Sequence, residues 1–152
     1  MPDDLYFLAH SEGIICRYVD LPAPFLGLYD ARSEEPPLIL LHENLKNNRR
    51  LLRCIFAEEL GHHFTSSGNL LAFARSDKAC VALKQERLAL WWAVRRLVPI
   101  SALTEAIESG LVLTNKLAEH FDVTERFLGT SLNFYFDKRR ALLEKYLERL
   151  DE

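Results

Sequence analysis

The sequence predicts an α+β fold: a small N-terminal sheet, antiparallel or mixed, packed on a long helix, with a helical C-terminal part. Three observations predict it. Short β-rich runs bounded by prolines fill the first 45 residues, helical periodicity begins near Asn47, and everything after that point reads as helix. The composition allows a core. Of 152 residues, 49% are hydrophobic and 27% charged, unlike a disordered chain.

The elements follow in order. Leu5–His10 reads as a short helix ending near Gly13. Ile14–Val19, Phe25–Tyr29 and Leu38–Leu41 read as strands, separated by Pro22, Pro24, Pro36, Pro37 and the polar run Ser33-Glu34-Glu35. Leu51, Leu52, Ile55, Phe56 and Leu60 then recur at helical spacing, and Ser66-Ser67-Gly68-Asn69 punctuates the end of that helix. A second long helix spans about Asp77 to Leu97 and stops at Pro99. Another begins at Ser101, carries Glu105 in its first turn and closes at Gly110. Thr114–Phe121, a turn at Asp122–Thr124 and a final helix from Glu125 to about Leu150 complete the chain. This divides the molecule into a core, residues 1–100, and a helical subdomain, residues 101–152, with the cadence of a helix-turn-helix.

Bulk properties narrow the function. A net charge of -3 and a pI near 6.0 argue against a nucleic-acid footprint over the whole chain. The local basic groups Lys46, Arg49, Arg50, Arg53 and Lys138, Arg139, Arg140 read as solvated helix faces. Cys16, Cys54 and Cys80 are odd in number and widely spaced, which fits reduced thiols and a cytoplasmic setting. The acidic start Met1-Pro2-Asp3-Asp4 does not resemble a signal peptide, and no apolar run has membrane-spanning length.

The segment richest in chemistry is Ala57-Glu58-Glu59-Leu60-Gly61-His62-His63. Residues four apart share one helix face, so Glu58 and His62 can point at one metal ion, with Glu59 beside them to take a proton from water. A carboxylate reaches zinc at about 2.0–2.2 Å, close to the imidazole distance, so Glu at the first position is chemically tolerable. It also makes the metal a weaker Lewis acid. A rival register pairs Glu59 with His63 but leaves Leu60 where the base belongs. A solvated helix face with two acids and two histidines would present the same residues. What weighs against that bland reading is Glu86, a carboxylate in the second helix just before the apolar run Leu88-Ala89-Leu90-Trp91-Trp92-Ala93.

The block Arg53–Thr65 resembles the active-site helix of the ImmA/IrrE metallopeptidases. Gln85-Glu86-Arg87 through Trp92-Ala93, followed by Leu97-Val98-Pro99, resembles that family's downstream segment. Pro37–Leu41, followed by His42-Glu43-Asn44-Leu45, resembles its edge strand and the turn before the helix. The likeness covers roughly residues 25 to 135. It implies a zincin-like core, Zn2+ held by Glu58, His62 and Glu86, and Glu59 as general base. It also implies a helix-turn-helix repressor of a prophage or mobile element as protein substrate. Glu58 is the departure from the family's usual His, and it bears on metal affinity and activity. A non-catalytic repressor antagonist on the same scaffold is one alternative, and a DNA-binding regulator using residues 114–136 is another. His42 and Tyr29 are the candidates to stabilise an oxyanion. The apolar Phe127, Leu128, Leu132 and Phe134 fit packing better than base recognition.

Overall fold

The computed structural model describes the backbone of residues 3–32, 34–66 and 78–150, and the side chains of residues 4–32, 34–66 and 82–139. Among these residues six α-helices and a three-stranded mixed sheet make an α+β fold, about 65% helical. The chain divides into two compact units, Met1–Leu97 and Val98–Glu152.

The first unit opens with α1 (Asp3–Ser11), followed by Gly13 at a left-handed φ of 70°. The strands are β1 (Ile15–Val19), β2 (Gly27–Asp30) and β3 (Leu38–His42), in the spatial order β1-β3-β2. β3 runs parallel to β1, in register from Ile15 with Leu38 to Val19 with His42. It runs antiparallel to β2, with Gly27 opposite Leu41 and Asp30 opposite Leu38. The segment likened to an edge strand is therefore the middle one. Leu38-Ile39-Leu40-Leu41 is apolar throughout, with Ile39 and Leu41 fully buried. An unbroken apolar run of this kind suits a strand in the interior of a sheet, where both faces are at least partly covered. The shorter β2, flanked by prolines, takes the edge.

A single 3-10 turn, Glu43–Asn47, leads into α2 (Arg49–Ser66). Asn48 caps this helix: the Leu51 N–H donates to its Oδ1 at 3.1 Å. Phe56 and Leu60 of α2 are fully buried, as are Ile39, Leu41 and Leu5, and these side chains form the core. Arg53 reaches back to Asp4 at 2.7 Å and ties α1 to the same helix.

α3 (Lys78–Leu97) packs against α2 with Gly61 beside Ala89 and His62 beside Glu86, so the two helices run antiparallel at this contact. The approach is very close. A Cβ on Gly61 would strike the Ala89 carbonyl oxygen and lie 2.8 Å from its carbonyl carbon. The expected helix boundaries at Ser67, Gly68, Asn69 and Asp77 lie outside the described residues.

The second unit holds α4 (Ile100–Glu108), α5 (Thr114–His120) and α6 (Glu125–Leu150). Two helices close in the same way. After α4, Gly110 has φ 97° and the Leu111 N–H bonds Ala106 O at 3.0 Å. After α5, Asp122 has φ 53° and the Val123 N–H bonds Ala118 O at 3.0 Å. Thr124 then caps α6 by accepting from the Phe127 N–H at 3.1 Å. Leu103, Leu117, Val123, Phe127 and Leu128 make this unit's own core.

The backbone of Ala89 cannot retreat from a new methyl group without moving its helix. Gly61→Ala is therefore expected to destabilise the protein by about 3 kcal/mol, at the upper end of overpacking effects. Gly129→Ala, in α6 with open space around its Cβ, should change stability by less than about 1 kcal/mol, in the stabilising direction. Urea unfolding of the two variants beside wild type measures both.

Candidate functional site

α2 presents Glu58, Glu59, His62 and His63 on its last turns, all half-buried. Glu59 and His62 line a cleft of about 650 Å³. The opposite wall is the edge-strand segment, with Phe25, Gly27, Leu28 and Tyr29, and α3 adds Gln85 and Glu86.

The tight helix crossing brings in Glu86. It lies one turn before Ala89 on α3, as His62 follows Gly61 on α2. Glu86 Oε1 stands 3.4 Å from His62 Nε2. The imidazole is 18% exposed and the carboxylate 71%, so the pair sits at the cleft rim with the acid outermost. This stretch of α3 is solvated, with Lys84 and Arg87 exposed beside it, and the Glu86 carboxylate is both paired and solvated.

Glu59 lies under β2. The Leu26–His42 pair is bonded from His42 N–H to Leu26 O at 2.8 Å. By the alternation of an antiparallel ladder, Leu28 also turns its main chain towards β3, while Gly27 and Tyr29 turn theirs to the outer edge. There the Tyr29 N–H donates to the Glu59 carboxyl. Gly27 makes room for this: a Cβ would come within 2.6 Å of Glu59 Oε1. Burial first, then the charges of Glu58 and Glu86, push the Glu59 carboxyl up to about 8, against the Tyr29 N–H, which lowers it. Without a cation nearby, Glu59 is protonated at neutral pH.

The donors suit a divalent metal in part. Two ligands about 2.1 Å from zinc at the tetrahedral angle stand about 3.4 Å apart, and His62 Nε2 and Glu86 Oε1 have that separation, 3.4 Å. Among the described residues no three His, Cys, Asp or Glu side chains are gathered into a metal-holding group. Glu58 shares a helix face with His62 but does not line the cleft, and it acts on Glu59 through its charge.

The rival register is not what the geometry favours. His63 does not line the cleft, and its Nδ1 lies 2.9 Å from Tyr29 Oη and its Nε2 3.4 Å from Glu12 Oε2. Of the two oxyanion candidates, Tyr29 lines the cleft and His42 does not. His42 Nδ1 accepts from the Asn44 N–H at 3.1 Å, and its Nε2 is 3.5 Å from Asp20. Its work is capping a turn. Trp91 and Trp92 are both half-buried, and Trp92 stacks on Phe64 at 4.9 Å. In the helix-turn-helix-like segment, Phe127 and Leu128 are buried, so the first turn of α6 spends its apolar face on packing. Cys54 is buried; the side chains of Cys80 and of Leu142–Leu150 lie outside the described residues.

Gly27 and Gln85 escaped the reading of the sequence. Gly27 had a signal, since a lone glycine inside a strand marks close approach by another group. Gln85 had none. Its Nε2 is buried at the cleft with no hydrogen-bond partner among the described residues. Comparison with protein-family models, curated proteins and solved structures gives no match.

The raised pKa of Glu59 sets a pH dependence in metal-free protein. Between its unfolded value near 4.5 and its folded value of about 8, the native state holds a proton the unfolded state has released. Stability therefore falls as pH rises through that window. Glu59→Gln cannot ionise. With chelator present, it should match wild type near the bottom of the window and exceed it by on the order of 3 kcal/mol at pH 8. Urea unfolding at a series of pH values reads the difference; a pH-independent gap would place Glu59 in solvent.

Proposed function

We propose that this chain is a zinc-dependent endopeptidase with a zincin-like core of the ImmA/IrrE type. One observation carries the reading: Glu59, His62 and Glu86 share a single cleft beneath the β2 edge, with His62 and Glu86 at metal-donor spacing. His62 and Glu86 would hold the ion, with Glu58 as the third donor that the resemblance implies. A divalent ion bound there supplies a Lewis acid that acidifies water and polarises a peptide carbonyl, and its charge favours the ionised form of Glu59.

The remaining steps belong to the chain's own residues. Glu59, as carboxylate, takes the proton of the attacking water and delivers it to the leaving amide nitrogen. The Tyr29 N–H holds the Glu59 carboxyl against β2 while this happens. The outward main-chain groups of Gly27 offer an extended peptide a place to pair. Phe25 and Leu28, 53% and 43% exposed, give its side chains an apolar wall. The substrate class, a helix-turn-helix repressor of a prophage or mobile element, rests on the resemblance of the Arg53–Thr65 and Gln85–Pro99 blocks.

A second reading has its own support. Glu in place of the family's usual His at position 58, on a helix turn outside the cleft lining, favours an antagonist that binds the same repressor without cutting it. A DNA-binding regulator has less behind it, because the chain is acidic and α6 buries Phe127 and Leu128.

Zinc-loaded wild type is expected to hydrolyse members of an internally quenched peptide library. Glu59→Gln should lower kcat by about 10²–10⁴-fold while retaining zinc. Undiminished hydrolysis by Glu59→Gln would remove it as the base. A wild type that binds a repressor but hydrolyses nothing selects the antagonist.

A further inference from the structure

We infer that His63 is a positioning residue: through the Tyr29 hydroxyl it clamps edge strand β2 onto α2, so that the Tyr29 N–H stays on the Glu59 carboxyl. The clamp is a matter of geometry alone. Its consequence for turnover rests on the peptidase reading.

Glu59 and His63 are one helical turn apart on α2, and both grip Tyr29. Glu59 accepts from its main-chain N–H, and His63 Nδ1 stands 2.9 Å from its Oη. β2 is four residues long and pairs with β3 on one side. A strand of that length at a sheet edge is weakly held by its ladder alone. A second anchor at Tyr29 therefore decides where the edge sits over the cleft.

Both ring nitrogens of His63 have partners. Glu12 Oε2 lies 3.4 Å from His63 Nε2, and a carboxylate can only accept. With its hydrogen on Nε2, the imidazole offers Nδ1 as the acceptor for the Tyr29 O–H at 2.9 Å. The Tyr29 hydroxyl keeps its proton at neutral pH, since burial and then the Asp30 charge raise its pKa. The imidazole plane is held as well, edge-on to the Tyr29 ring at 5.7 Å and to Phe64 at 5.1 Å. The turn after α1, the active-site helix and the edge strand are joined in this way by one side chain that is 17% exposed. With both nitrogens engaged, His63 is a support for the site and His62 its donor.

The test uses full-length, metal-stripped wild type, His63→Ala, His63→Asn and Tyr29→Phe, with amide hydrogen exchange followed by NMR. The Tyr29 amide should exchange about 5–10-fold faster in His63→Ala and in Tyr29→Phe, the effect of losing one hydrogen bond. His63→Asn, whose side-chain oxygen reaches the place of Nδ1, should return to within about 2-fold of wild type. If His63 only fills space, Tyr29→Phe will exchange like wild type and His63→Asn like His63→Ala; either result overturns the clamp. Zinc uptake by His63→Ala should equal that of wild type, and lost uptake would make His63 a ligand instead. On quenched peptides His63→Ala should lower kcat about 10-fold with KM within about 2-fold; an unchanged kcat overturns the catalytic consequence. If wild type cleaves no peptide the peptidase reading falls, while the exchange data still decide the clamp.

Discussion

The cleft depends on one contact, the approach of the α2 backbone to the α3 backbone where Gly61 meets Ala89. No side chain separates the helices there. Helices that cross through ordinary residues stand 8–10 Å apart, with the larger spacings set by larger side chains. A glycine facing an alanine draws them to the short end of that range. Only then does a carboxylate one turn along α3 come within 3.4 Å of an imidazole one residue along α2. The same physics acts on the other side of the cleft, where Gly27 lets the Glu59 carboxyl lie against the strand. Two positions without side chains thus set both walls.

What these walls enclose is electrostatically expensive. Glu58, Glu59 and Glu86 are close enough for the first and third to act on the second, and Glu59 is the one taken furthest from water. A buried carboxyl among like charges answers by keeping its proton. Structural ion-pair networks also shift acidities, but here the shifted group faces a cleft and sits beside a histidine at metal-donor spacing, a combination that points to function. A cation at the His62–Glu86 pair, as proposed, would relieve this crowding.

Much of this was legible in the sequence because much of it is local. The change from proline-bounded strands to helical periodicity at Asn47 gave the α+β class, and Glu59 and His62 needed only helix geometry to share a cleft. Strand order is not local. The unbroken apolar character of Leu38–Leu41 hinted at an interior strand, but nothing in it says that β1 and β2 are its neighbours. Glu86 was visible only as a carboxylate just before an apolar run, and its meeting with His62 required the Gly61 crossing. The support given by His63 was not legible at all, because its partners lie 34 and 51 residues away along the chain.

The central claim is that His62 and Glu86 form one metal site beside Glu59. Calorimetric titration of zinc into metal-stripped protein tests it most directly. The account predicts a single site per chain in wild type, weakened about 100-fold or more by Glu86→Ala and by His62→Ala. Zinc binding that Glu86→Ala leaves unchanged, or a wild type that takes up none, would contradict it.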